Sequence, residues 1–212
     1  MTSEKHRFNV GSSQLSCNLE KPNTATESAI LVLHPHPLYG GDMFNPVVST
    51  LAETFREVGF ASARFDFRGV DSRSEYAGIP GAVEDAVAAS ELLEQLGLRL
   101  AGVAGYSFGG STALRFSSIY SVDCVVSVSS SLELFTEDVF PAAHLSRITC
   151  PVLMLHGTSD LTVPYQNMTQ ISSYIQGRTK CVAFENEGHF YHRSLNRVHD
   201  EVKLFMENHR KS

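Results

Sequence analysis

Apolar positions along this chain follow two rhythms. Short, largely apolar runs occur at Ala29-Ile30-Leu31-Val32-Leu33, Leu100-Ala101-Gly102-Val103-Ala104, Val122 to Val128 and Cys150 to His156. Their length and lack of alternation are those of strands covered on both faces. Between them apolar residues recur at helical spacing. One stripe, Val47, Val48, Leu51, Ala52, Phe55 and Val58, begins near Pro46 and stops at Gly59. Another runs through 81–96, from Val83 to Leu96, and stops at Gly97. The same reasoning predicts strands at 60–67 and 180–184 and helices at 110–116, 164–176 and 193–209. The beginning of the chain differs. Phe8 and Val10, then Leu15, Cys17 and Leu19, alternate on either side of Gly11-Ser12-Ser13, which is the signature of an antiparallel pair at a sheet edge.

Strands alternating with helices at this spacing predict an α/β fold: a mostly parallel, twisted sheet of about eight strands with helices on both faces. In such sheets ligands bind beyond the carboxyl ends of the strands. The loops predicted there are 34–41, 66–74, 105–109, 129–135, 157–164 and 186–192. The least periodic stretch, 129–146, is too short to build a lid, so the expected cap is minimal or absent and the pocket shallow. With 212 residues and no repeat, low-complexity segment or linker, residues 1–212 are expected to form a single domain.

Composition narrows the partners. The apolar share of 42% and charged share of 19% suit a globular protein, and 17 basic against 23 acidic residues leave a net charge of −6. Basic residues form no run beyond short pairs, which argues against a nucleic-acid partner. No apolar run reaches the roughly 20 residues of a membrane span, and none follows the first charges as a signal segment. The widely spaced Cys17, Cys124, Cys150 and Cys181 read as buried free thiols of a reducing compartment, so the expected location is cytoplasmic. Oligomeric state is not legible.

Candidate chemistry centres on Gly105-Tyr106-Ser107-Phe108-Gly109, a G-x-S-x-G between a buried strand and a helix. In that setting it can form a nucleophile elbow, a tight turn that exposes a serine hydroxyl above the sheet. A serine needs a base. His189, beside Gly188 after the last strand, is the candidate, with Gly188 expected to make the sharp turn. The acid that orients it should lie between 107 and 189 at the end of a strand; Asp160 fits best, with Glu133 or Asp138 as alternatives. Backbone donors for an oxyanion would come from Phe108 and from the loop after the 29–33 strand. There Pro35 and Pro37 have no N–H, leaving His36, Leu38 or Tyr39, with His36 favoured. His34 and His36 supply only two metal ligands, with no third residue at metal-site spacing, so neither metal nor cofactor is expected. His156 is expected to bond backbone at a strand end.

The ordered set His34-Pro35-His36-Pro37-Leu38-Tyr39-Gly40-Gly41, Arg64-Phe65-Asp66-Phe67-Arg68-Gly69-Val70, Gly105 to Gly110, His156-Gly157-Thr158-Ser159-Asp160 and Gly188-His189-Phe190 resembles the α/β-hydrolase fold family. More narrowly it is similar to a subgroup of small, cap-less serine hydrolases, over about residues 29–206. That resemblance implies a Ser107–Asp160–His189 triad, Phe108 and His36 as oxyanion donors, and hydrolysis of an ester, thioester or amide of a small acyl substrate through an acyl-enzyme. One residue departs from the pattern: Asp71 stands where such proteins carry glycine, which bears on the backbone of this loop and on the placement of Arg68. Leu38, Tyr39, Phe44, Leu132, Phe135, Val163 and Phe190 are candidates for an apolar acyl wall. Rival readings are a ligand receptor or adaptor that keeps the fold, and an acyltransferase or peptidase using the same residues. Asp160 and His189 together argue against a pure binder.

Overall fold

The apolar run at 29–33 becomes strand β3 (Ser28–Leu33), and its side chains divide by parity. Ala29, Leu31 and Leu33 enter one core, Ile30 and Val32 the other, as the two-residue repeat of a strand dictates. The computed structural model describes residues 2–135 and 141–209. In chain order the remaining elements are β1 (Thr2–Val10), β2 (Ser13–Lys21), α1 (Pro46–Glu57), β4 (Ala61–Phe65), α2 (Gly78–Gln95), β5 (Arg99–Tyr106), α3 (Phe108–Ser117), β6 (Cys124–Val128), β7 (Val152–Gly157), α4 (Gln166–Tyr174), β8 (Thr179–Phe184) and α5 (Leu195–His209).

One sheet runs in the order β1-β2-β4-β3-β5-β6-β7-β8. β1 pairs antiparallel with β2, and β2 antiparallel with β4; every later pairing is parallel. The apolar stripe of α1, Val47, Val48, Leu51 and Phe55, packs with Val198, Val202, Phe205 and Met206 of α5 on one face. α2, α3 and α4 cover the other through residues such as Ala86, Leu93, Leu114, Phe116, Met168 and Ile171. Between β6 and β7 the described residues form only two short 3-10 turns, Leu132–Leu134 and Ala142–Arg147, so the cap is minimal. β3 lies between β4 and β5 although the chain visits them in turn. The loops leaving β3 and β5 therefore part from neighbouring strands, the kind of switch point where open α/β sheets form a crevice.

Several expectations need correction. Helix α2 starts at Gly78, not 81, and α3 at Phe108, not 110, because the turn at Ser107 leads straight into helix. β6 begins at Cys124. All four cysteines are free, but only Cys17 and Cys124 are buried; Cys181 is exposed. It lies on β8, one of the two edge strands, which the chain covers less completely than the centre of the sheet. Asp71 is not among the residues with positive φ; the left-handed turn is taken by Gly69, at φ 104°. Arg68 is tied to α2, through Asp85 at 2.5 Å, Glu84 at 2.8 Å and the Gly81 carbonyl at 3.0 Å. Among the described residues no helix is long and apolar enough to cross a membrane.

Candidate active site

The turn from β5 into α3 rests on one residue. Ser107 has φ 55° and ψ −117°, a conformation that costs a non-glycine residue about 1–3 kcal/mol. Its neighbours hold it there: Ser107 N–H donates to the Val128 carbonyl at 2.7 Å, and its own carbonyl accepts from Ser111 N–H at 3.0 Å. The glycines of the motif follow from close approach. A Cβ on Gly105 would run into the Gly109 carbonyl, and one on Gly109 into the Leu33 carbonyl at the end of β3. Backbone packed this closely leaves the Ser107 hydroxyl at the mouth of the crevice.

His189 Nε2 lies 3.0 Å from Ser107 Oγ, and His189 Nδ1 lies 2.7 Å from Asp160 Oδ2. Asp160 follows β7 and is only 7% exposed. Its other oxygen accepts from the Thr162 N–H at 2.9 Å and the Val163 N–H at 2.8 Å, an aspartate-closed turn. His156 bonds backbone as expected, from Nε2 to the Val163 carbonyl at 3.0 Å, and the same nitrogen sits 3.4 Å from Asp160 Oδ2. Burial would push the Asp160 carboxyl up, but the hydrogen bonds from His156, His189 and the Val163 N–H outweigh it and hold this carboxyl well below the usual range. An ionised acceptor at Nδ1 places the His189 proton there and turns the Nε2 lone pair toward Ser107.

The loop carrying His189 is held at several points. Tyr106 donates its hydroxyl to the His189 carbonyl at 2.7 Å. Glu187 accepts from the Ser194 hydroxyl at 2.6 Å, the Gly188 N–H at 3.1 Å and the Arg193 N–H at 3.2 Å. The sharp turn expected of Gly188 is made instead by Asn186 at φ 58° and Tyr191 at φ 53°. Tyr191 holds its strained backbone because its ring is fully buried and its hydroxyl lies 2.8 Å from Ser129 Oγ. Asn186 is a residue type that tolerates this conformation, whereas nothing in the sequence marks Tyr191 as a turn.

On the opposite side, residues 34–41 fold around Pro37–Tyr39, a 3-10 turn. The Leu38 N–H donates to His36 Nδ1 at 3.2 Å, and the Tyr39 and Gly41 N–H groups both donate to the His36 carbonyl at 3.1 Å. Leu38 and Tyr39 are thus occupied within the loop, whereas no hydrogen bond joins the His36 N–H to another described residue. The Phe108 N–H opens α3 and has no intrahelical acceptor. His34, the neighbour in sequence, is fully buried. It accepts from the Phe67 N–H at 2.9 Å through Nε2 and donates from Nδ1 to the Pro35 carbonyl at 2.6 Å. Burial pushes its pKa down to about 4, so it stays neutral and ties the end of β3 to that of β4. Among the described residues no group of three or more His, Cys, Asp or Glu side chains is placed to hold a metal ion.

The sequence profile of the dienelactone hydrolase family matches residues 56–207. The chain belongs to the dienelactone hydrolase family. Its fold is that of an α/β serine hydrolase homologue from Coxiella burnetii, with a TM-score of 0.85 at 28% identity over 97% of this chain and 98% of that one. A lidless α/β serine hydrolase from Xanthomonas campestris aligns with a TM-score of 0.83 at 23% identity, over 97% and 94% of the two chains, a likeness of fold. An uncharacterized protein of Rickettsia prowazekii is 33% identical over 111 residues, 51% of this chain and 47% of its own length, so the chain spans about half the length of the curated relative it matches.

Within this dienelactone hydrolase family fold, a cavity of about 260 Å³ opens beside Ser107 and His189. It is lined also by Pro35, His36, Tyr39, Asn45, Thr162 and Phe190, and among the described residues by no Asp, Glu, Lys or Arg. Of the apolar residues expected to form an acyl wall, Tyr39 and Phe190 are here and the others are not. Leu38 is half-buried in its turn. Phe44 faces a separate groove of about 630 Å³ between the β1–β2 hairpin and residues 66–75, which none of 107, 160 or 189 reaches. Leu132 and Phe135 pack into the core on the α2–α4 face, and Val163 is buried with its backbone bound to Asp160 and His156. Leu132, Phe135 and Val163 are apolar for packing, a use that spacing alone does not separate from ligand contact. Of the alternative acids, Glu133 is exposed and Asp138 lies outside the described residues. Tyr106 and Thr162 also line the cavity without having been expected there; Tyr106 had a signal, lying inside the G-x-S-x-G motif, and Thr162 had none beyond its place in the 157–164 loop.

Proposed function

We propose that this chain is a serine hydrolase of small, neutral carboxylic esters, with thioesters and amides open to the same chemistry. The reading is carried by one line of atoms, Ser107 Oγ to His189 Nε2 at 3.0 Å and His189 Nδ1 to Asp160 Oδ2 at 2.7 Å. Ser107 Oγ attacks the acyl carbon while His189 Nε2 takes its proton. Asp160 keeps the imidazole in the required tautomer and stabilises the imidazolium. The oxyanion of the tetrahedral intermediate accepts from the N–H groups of Phe108 and His36, donors worth about 10²–10³ each in rate when preorganised. The positive end of α3 favours the same charge. His189 then returns the proton to the leaving alcohol, water repeats the attack on the acyl-enzyme with His189 as base, and the free acid departs.

A cavity near 260 Å³ with no Asp, Glu, Lys or Arg among its described lining residues favours a short, uncharged acyl group. Family membership and the serine hydrolase fold of the relatives support hydrolysis as the reaction class. The test uses a fluorophosphonate probe and p-nitrophenyl esters from acetate to octanoate. Wild-type protein should label and turn over the shorter esters, whereas a folded Ser107→Ala variant should do neither. Labelling that persists in Ser107→Ala sinks the assignment.

A further inference from the structure

The His36 ring takes no part in the proton path, yet both of its nitrogens are occupied. Nδ1 accepts the Leu38 N–H at 3.2 Å, so in the neutral ring the proton sits on Nε2. Nε2 lies 2.9 Å from the Tyr76 hydroxyl oxygen and therefore donates to it. The ring is also packed among three aromatic side chains, its centroid 4.7 Å from that of Tyr39, 5.0 Å from Tyr76 and 4.8 Å from Phe108. Burial pushes the His36 pKa down, in keeping with a ring that must stay neutral to accept at Nδ1.

Tyr76 is far from His36 in sequence and near it only in space. It follows the 3-10 turn Arg73–Glu75. Arg73 of that turn donates from Nη1 to the Leu38 carbonyl at 3.2 Å, a second tie between the same two segments. Tyr76 is itself seated closely against Gly69, where an added Cβ would lie 3.0 Å from the Tyr76 Cβ. The 69–76 segment thus holds the 36–39 turn from outside the cavity. The imidazole is wedged between that turn and Phe108, the first residue of α3.

We propose that Tyr76 and the His36 imidazole are positioning residues that set the distance between the two backbone donors of the oxyanion hole. This rests on the serine hydrolase reading above. One donor belongs to His36 and the other to Phe108, and the ring touches both residues. Small displacements matter at such a site, since a misplacement near 1 Å can cost about 10² in rate. The effect should fall on the transition state and not on the bound ester, whose carbonyl needs the donors less.

The experiment compares wild type with Tyr76→Phe, which keeps the ring and removes the hydroxyl, and with Arg73→Ala, an exposed change that removes the other tie. For Tyr76→Phe, kcat should fall roughly 10-fold with KM within about twofold. A trifluoromethyl ketone, which forms a tetrahedral oxyanion on Ser107, should bind weaker by the same factor, while the product alcohol, which carries no anionic oxygen, binds unchanged. Arg73→Ala should move in the same direction by about two- to threefold. A Tyr76→Phe/His36→Asn double variant should be no slower than His36→Asn alone, because both changes break one linkage. Unchanged kcat in Tyr76→Phe, or a loss of thermal stability with unchanged ketone affinity, overturns the proposal. If Tyr76→Phe does not fold, Arg73→Ala alone decides it by the same kcat and ketone readouts. Wild type that neither labels nor turns over would instead remove the underlying hydrolase reading.

Discussion

The two walls of the crevice are supported by different chemistry. On the base side, His189 leans on the buried carboxylate of Asp160, and its loop is held by the buried carboxylate of Glu187. On the oxyanion side, the His36 ring bonds to a backbone N–H and a phenol and packs among aromatic rings. The difference follows from the charge each side is proposed to meet. A base becomes positive during the reaction, so anions beside it lower the barrier. Donors to an oxyanion meet developing negative charge, and a carboxylate there would oppose it while a neutral frame does not. The polarity of the support is thus a reading of the chemistry it serves.

Replacing the anion on the base side should have the largest effect. Asp160→Asn keeps the shape but lets the imidazole take the wrong tautomer, so ester kinetics should show kcat reduced about 10³–10⁴-fold with little change in KM. A loss under tenfold would mean that the carboxylate does not set the base.

Acid should separate the two walls by pH window. His34, buried behind the oxyanion loop, has its pKa lowered to about 4 from an ordinary 6.5. As pH falls the unfolded chain takes up this proton first, so the folded state keeps its full stability above about 6.5 and loses about 3 kcal/mol between there and about 4. The carboxyl of Asp160 is also held below its ordinary value, so its contribution is present above the ordinary carboxylate range and disappears as pH falls further. Urea denaturation at pH 7, 4 and 2.5 should therefore show a first decline, from 7 to 4, that His34→Gln flattens and a later one, from 4 to 2.5, that it does not. A decline confined to the carboxylate range would contradict the neutral role of His34.

The smallest effect is expected at Glu187. Glu187→Gln keeps one acceptor but presents an amide donor to groups that already donate, Ser194 Oγ and the Arg193 N–H. Chemical denaturation should show a loss of about 1–2 kcal/mol, with kcat reduced only a few-fold. A rate loss as large as that of Asp160→Asn would erase the distinction between holding the loop and holding the ring.

Much of this was legible along the chain because it is local. Continuous apolar runs became the central strands, and the Pro46 to Gly59 stripe became α1 with Asn45 capping Val47 at 3.0 Å. The elbow was legible because a strand, two glycines and a helix must be contiguous to make that turn. The apolar wall was not, since Phe44, Leu132, Phe135 and Val163 carry the same signal whether they meet a ligand or the core. Nor was the turn at Tyr191, where burial of the ring holds a conformation that a tyrosine does not prefer locally; the one at Asn186 falls on a residue type that tolerates the left-handed region.

By itself the sequence determined the alternation of strands and helices, the strand-end loops and the residue types brought to each. Those depend on near neighbours and on periodicity, which a linear string carries in full. Tertiary structure alone decided that His36 meets Tyr76 across 40 residues, and that His34, two positions earlier, is occupied by backbone on both nitrogens. It also decided that Cys181 lies on an exposed edge. Each of these depends on which strands become neighbours, and sheet order is set by the balance of both cores at once and not by any local stretch of residues.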